Sequence, residues 1–286
     1  MKTSNLFKYS FTVGMQQWRV ASIVYFFQLC LALTLGMQVH SVLESSIGHS
    51  LELNKLLHGY DHTVITDFLK VHGASITPLL GQLRWLLMTW FVFSVFINGG
   101  LLYCSVMDPT NSSPVMRFWT GGASYFFPFL KISLAFLVLA LVWTLLIWIP
   151  VALFFEPSLQ YFSSEKYIVW ISLCMMVLSC FGLLVVFIWS VTSRLMAIQA
   201  KASTIQYIKK GWMKFWPQKG AFTKVMLTFI LLQIALLAGY CVLKCFAESK
   251  TGWGILALFV IQQGFIFFRI QIRQMMYVGI SQIPGK

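Results

Sequence analysis

Of the 286 residues, 58% are hydrophobic and only 10% are charged, and the mean hydropathy is +0.78. A soluble domain carries about a quarter charged residues, so a single globular core in water is excluded and the bilayer becomes the expected solvent. The net charge of +13 is spread between apolar runs, with no basic domain or recognition motif. It points to anionic lipid headgroups on the cytoplasmic side rather than to nucleic acid.

Residues 1–19, within "MKTSNLFKYSFTVGMQQWRV", place Phe7, Phe11, Met15 and Trp18 on one helical face, as an N-terminal interfacial helix would. The stretch is too long and aromatic for a signal n-region. The apolar run after it lacks a small-residue cleavage site, so 20–43 is expected to stay as the first span. Five more spans follow at 84–106, 129–155, 167–193, 225–247 and 253–277. Runs such as "ISLAFLVLALVWTLLIWI" are apolar on every face, which favours helices over the short alternating strands of a barrel.

Between the first two spans lies an outer helical loop, 44–82. All five histidines stand in or beside it: His40, His49, His58, His62 and His72. Leu53, Leu56, Leu57, Tyr60, Val64, Phe68 and Leu69 form one apolar face on two short helices broken at Gly59, which reads as a cap with its polar groups toward water. His58 and His62 share the four-residue spacing of many zinc pairs, and Asp61 is the candidate third ligand. HGYDH lacks the glutamate of H-E-x-x-H and no second tight pair exists, so neither metal nor any other cofactor is expected. A pH-sensing role is the residual alternative for histidines outside the membrane.

In the second span Asn98, Gly99 and Gly100 predict close helix packing ahead of local unwinding. "VMRFWTGGASYFFPFLK" before the third span is again an aromatic, partly basic surface segment. The third of its kind is a basic amphipathic cytoplasmic segment, 194–224. In it Ile198, Ala202, Ile205, Ile208, Trp212 and Trp216 form a stripe, with Lys210 and Lys214 opposite and Lys201 and Lys209 flanking. Packing on lipid is preferred over docking on a cytoplasmic partner, because Trp with Lys is the ordinary composition of a membrane edge. Pro128 and Pro217 mark where two of these segments should turn into spans.

The last span is the most polar. Gln262, Arg269 and Arg273 share a face, with Gln263, Gln271 and Gln274 on others; the two arginines are candidates for an anion pocket, though snorkelling toward the headgroups is the simpler reading. Gln28, Gln38 and Gln233 are candidates for hydrogen bonds between spans. The six cysteines form no CxxC pair and read as small buried apolar residues.

With the N-terminus inside, only Lys55, Lys70, Arg84, Lys166, Lys244 and Lys250 of the 21 basic residues fall outside, and Asp108 is the only inner acid. Both termini are therefore expected in the cytoplasm. The fold class expected is an all-α integral membrane protein, one polytopic domain over 1–286. Its six transmembrane helices form three helical hairpins, each preceded by a cytoplasmic-side interfacial amphipathic helix, and a short helical outer cap completes it. The repetition is one of pattern rather than of identical residues.

The run "FINGGLLYCSVMDPTNSSPVMRFWTGGASYFFPFLKI" and the element "LLHGYDHTVITDFL" resemble uncharacterised six-span bacterial membrane proteins, mainly of Bacteroidetes type. These are similar in topology to the membrane domain attached to some glycerophosphodiester phosphodiesterases. The resemblance implies a bacterial cytoplasmic (inner) membrane location and no known activity, and the soluble catalytic domain is absent from this sequence.

No Asp or Glu falls at mid-membrane in any expected span, and no G-x-S-x-G, Walker or H-E-x-x-H motif appears. The residues favour a non-catalytic membrane protein, a scaffold or accessory subunit packing against lipid or a membrane protein partner. A permease-like subunit for a lipid or amphipathic anionic solute ranks second. A membrane-embedded metal-dependent hydrolase using the outer histidines ranks third.

Overall fold

The computed structural model describes residues 3–47, 62–107, 113–161, 165–200, 202–246 and 252–283, and every regular element among them is helical. In chain order these are α1 (Thr3–Gln16), α2 (Trp18–Ile47), α3 (His62–Val106), α4 (Pro114–Ser124), α5 (Phe126–Tyr161), α6 (Glu165–Gln199), α7 (Thr204–Phe215), a 3₁₀ turn (Trp216–Gln218), α8 (Lys219–Phe246) and α9 (Gly252–Ser281). Six are long and apolar enough to cross a membrane: α2, α3, α5, α6, α8 and α9. A continuous helix satisfies its own backbone polar groups, which is the condition hydrocarbon imposes on a spanning segment. The three shorter ones, of 14, 11 and 12 residues, each come directly before an odd-numbered span.

The breaks between short helix and span are small. Only Gln17 separates α1 from α2, and only Tyr125 separates α4 from α5. Pro217 lies in the 3₁₀ turn before α8, whereas Pro128 sits in the first turn of α5, where its missing N–H costs no helical bond. α4 opens with Ser113 as its N-cap, whose hydroxyl accepts from the Met116 N–H at 3.3 Å, and Pro114 follows at the first helical position.

The expected outer loop differs from the fold in one respect. The helix that begins at His62 does not end before the second span; it runs through Pro78 to Val106 as one element of 45 residues. Residues 62–82 are thus an extension of the span. Gly59 and most of the first cap helix lie outside the described residues.

The described chain divides into two compact units, Met1–Ala21 with Val95–Lys286, and Ser22–Ser94. In the smaller unit Phe27 stacks on Phe93 with ring centroids 3.9 Å apart. In the larger, the fully buried side chains include Leu101, Leu102, Phe118, Phe129, Ile132, Ile188, Leu195, Phe222, Met226, Phe229, Tyr277 and Ile280. All come from the short helices or from the part of each span nearest to one. Farther along the same spans large apolar side chains stand exposed, among them Leu146, Leu153, Trp170, Phe181 and Trp253. Cys30, Cys174, Cys180 and Cys241 are exposed as well, so only Cys104 fits the buried role expected for the described cysteines. Polytopic helices in lipid need no apolar interior at every level, because the acyl chains cover what the protein leaves open.

Candidate functional site

The short helices dock through small residues. On α1, Leu6, Ser10, Gly14 and Gln17 just beyond it are buried, Phe7 stacks on Phe229 with ring centroids 5.4 Å apart, and Phe11, Met15 and Trp18 face outward. A Cβ at Gly14 would lie 2.4 Å from Met275 Cγ, so α1 packs on α9 at a distance only glycine permits. On α4 the buried residues are Arg117, Phe118, Gly121 and Gly122, with Met116 and Trp119 outward. A Cβ at Gly121 would fall 2.4 Å from Tyr103 Cβ, and one at Gly122 2.6 Å from Phe96 Cζ, both side chains of α3. Conversely, a Cβ at Gly100 of α3 would meet the Phe118 ring at 2.5 Å, and one at Gly99 would touch the Gly121 carbonyl oxygen and Gly122 Cα at 3.4 Å. Asn98, Gly99 and Gly100 are all buried in this seam.

On α7 the buried line is Tyr207, Gly211 and Phe215. A Cβ at Gly211 would stand 2.4 Å from Ser193 Oγ on α6. The stripe expected from the sequence is rotated and divided: Ile198 belongs to the buried end of α6, Ile208 and Trp212 are half-buried, and Ile205, 79% exposed, points away. Trp212 lies between Trp189 (centroids 4.8 Å apart) and Trp216 (5.3 Å), and the Trp189 indole donates to the Ile208 carbonyl at 2.9 Å. Lys219 covers the exposed Trp216 ring at 4.7 Å. The contacts therefore repeat: α4 sits on the second span, α7 on the fourth, and α1 on the sixth.

Beside α7 opens a cleft of about 590 Å³ lined by Met196, Gln199, Lys210, Met213, Lys214, Pro217, Gln218, Ser281, Gln282 and Ile283. Lys210 is exposed and Lys214 is half-buried. Two ammonium groups with amides and a hydroxyl on apolar walls suit an anionic, partly apolar ligand.

Polar side chains also meet between spans, the second with the sixth and the third with the fourth. Arg273 donates through Nη2 to Asn98 Oδ1 and through Nε to the Tyr277 hydroxyl at 3.3 Å; that hydroxyl donates to the same Asn98 oxygen at 2.7 Å. Arg194 Nη2 donates to Ser133 Oγ at 3.1 Å, and its Nε is buried without an acceptor. Gln274 donates to Gln17 Oε1, and Gln17 Nε2 donates to the Cys104 carbonyl at 3.4 Å. Arg117, buried on α4, donates to the Met107 carbonyl at 2.9 Å and has its own Nε unpartnered. None of these arginines forms an ion pair among the described residues.

The residues singled out from the sequence thus fall into different places. Lys210 and Lys214 share the cleft; Trp212 and Trp216 brace α7; Lys209 is exposed, and Lys201 lies outside the described residues. Arg269 is exposed while Arg273 is drawn to Asn98, so the two do not act as a pair. His58 and Asp61 lie outside the described residues, as does the side chain of His62. Among the described residues no group of three or more His, Cys, Asp or Glu could hold a metal. His40 faces Glu44 at 3.6 Å one helical turn on, both well exposed. Sequence reasoning missed Gln17, Ser133, Arg194 and Tyr277 as partners in these contacts. The available signal was the Arg in "SVTSRLM" at the end of an otherwise uncharged span.

Together the helices and their exposed apolar surface define a multi-pass membrane protein. No family model, curated protein or solved structure matches the chain.

Proposed function

We propose that the chain is a non-catalytic membrane protein, a scaffold or accessory subunit, whose three hairpins carry their short helices in the cytoplasmic headgroup layer of a bacterial inner membrane and hold anionic lipid there. This reading keeps the resemblance to six-span bacterial membrane proteins as part of the proposal. The observation that carries it is the inverted polarity of the short helices. Glycine or serine faces the protein, while Phe11, Met15, Trp119, Ile205 and Met213 are turned outward. In water such faces would be a liability, whereas at an acyl–headgroup boundary they are the anchoring surface. Lys210 and Lys214 at the adjacent cleft supply the charge complement to anionic headgroups.

The test is lipid retention. Wild-type protein extracted from membranes containing phosphatidylglycerol should keep that lipid in native mass spectra, and Lys210→Glu with Lys214→Glu should lose most of it. Equal retention by both would remove this reading. The permease-like alternative draws support from Arg273, half-buried against Asn98 in the last span, since charge within a bundle marks solute pathways in other membrane proteins.

A further inference from the structure

Lys210 and Lys214 stand four residues apart on α7, so both stems rise from one side of the helix, and both line the same cleft. Like charges at that spacing repel each other. Lys214 is half-buried, and neither lysine has an ion pair or a hydrogen bond among the described residues. No Asp or Glu lines the cleft. An ammonium partly withdrawn from water without an acceptor is costly, and a second one beside it adds to the cost. The fold thus holds two uncompensated positive charges on one wall of a cavity of about 590 Å³, with the Gln282 amide and the apolar Met213 and Ile283 elsewhere in its lining.

We propose that this cleft selects a phospholipid headgroup carrying two negative phosphoryl charges over one carrying a single charge. The selectivity rests on the lipid-holding reading above and names the class of lipid that fills the site. A singly charged headgroup leaves one ammonium unpaired, whereas a doubly charged one compensates both. The apolar lining favours a lipid over a free anion, because it gives the glycerol and upper acyl carbons a surface to cover. Phosphatidic acid and cardiolipin offer the same chemistry in two forms. The first places both charges on one phosphate, and the second places one on each of two phosphates joined by glycerol. A cavity of this volume has room for either.

The experiment titrates the full chain, in mild detergent and stripped of bound lipid, with phosphatidylglycerol, phosphatidic acid or cardiolipin, and native mass spectra read the bound fraction. The titration is run at about pH 8, above the second phosphomonoester pKa of about 6, so that phosphatidic acid carries both charges. Phosphatidic acid, cardiolipin or both should bind about fivefold tighter than phosphatidylglycerol, which is what one further ammonium–phosphate pair contributes near a membrane surface. A gain with phosphatidic acid alone means that one phosphate takes both lysines; a gain with cardiolipin alone means that each lysine takes its own. Lys210→Gln and Lys214→Gln, each made singly, should reduce the preference to about twofold or less while phosphatidylglycerol still binds, which separates headgroup charge from the number of acyl chains. Lys214→Arg should keep the preference. Wild type that binds all three lipids equally, or a preference undiminished in both glutamine variants, would overturn the selectivity and leave the retention of anionic lipid standing. Absence of binding by all three would remove both.

Discussion

The Tyr277 hydroxyl and the Asn98 side-chain oxygen, 179 positions apart in the chain, meet at 2.7 Å, and Arg273 donates to that same oxygen. One neutral acceptor thereby ties the second span to the sixth and is the main protein partner of a guanidinium. These two interactions of Asn98 are therefore unequal. Asn98→Leu should destabilise by about 3–5 kcal/mol, because it strands a charged group. Tyr277→Phe should cost only about 1 kcal/mol, the usual net value of a neutral hydrogen bond. Unfolding in mild detergent measures both, and equal losses would mean that Asn98 serves packing rather than charge.

Glycine contacts give a second contrast. A methyl group at Gly100 has no room beside the Phe118 ring, so Gly100→Ala should lower stability by about 1–3 kcal/mol. A Cβ at Gly239 would meet nothing within 4 Å, and Gly239→Ala should be neutral or stabilise by up to about 1 kcal/mol. The same thermal assay reads both, and a neutral Gly100→Ala would deny the close approach of α3 and α4.

If Lys210 and Lys214 bind headgroups by charge, association of the protein's anionic lipid should weaken with salt. Raising ionic strength from 0.1 M to 1 M shortens the screening length from about 10 Å to about 3 Å. Lipid retention by wild type should fall toward that of Lys210→Glu with Lys214→Glu, most of all at the exposed Lys210. Salt-independent retention would point to the apolar faces alone.

The outer histidines make a negative prediction. His58→Ala with His62→Ala should leave the metal content of the purified protein unchanged by elemental analysis. Loss of stoichiometric zinc would revive the metal-dependent reading.

What was legible in the residue order was whatever depends on local period and length. The six spans, the short helices before the odd ones and the break near Pro217 follow from apolar run length and breaker residues; the break before the third span falls at Tyr125, ahead of the Pro128 expected to mark it. Gly99 and Gly100 were visible as a packing signal, yet their partners Gly121 and Gly122 were not, because a contact across a loop leaves no mark on spacing. The side of α7 that meets the protein was not legible for a related reason: Tyr207, Gly211 and Phe215 turn inward there, while Ile205 of the stripe expected on lipid turns outward. A short helix carrying Val64, Phe68 and Leu69 was expected, but not its continuity through Pro78 into the second span, because proline and polar residues read as a break although a helix leaving the hydrocarbon tolerates both. The contact of Asn98 with Arg273 and Tyr277 joins two distant spans and could not be read from any single window.

The most direct measurement is the sidedness of the three short helices. Single cysteines at Thr12, Thr120 and Gln206, all exposed, would be placed in a chain otherwise free of cysteine and labelled with a membrane-impermeant maleimide. All three should react in inside-out membrane vesicles and stay unlabelled in right-side-out ones. Labelling of any one of them from the opposite side would contradict the placement of the short helices in a single cytoplasmic headgroup layer.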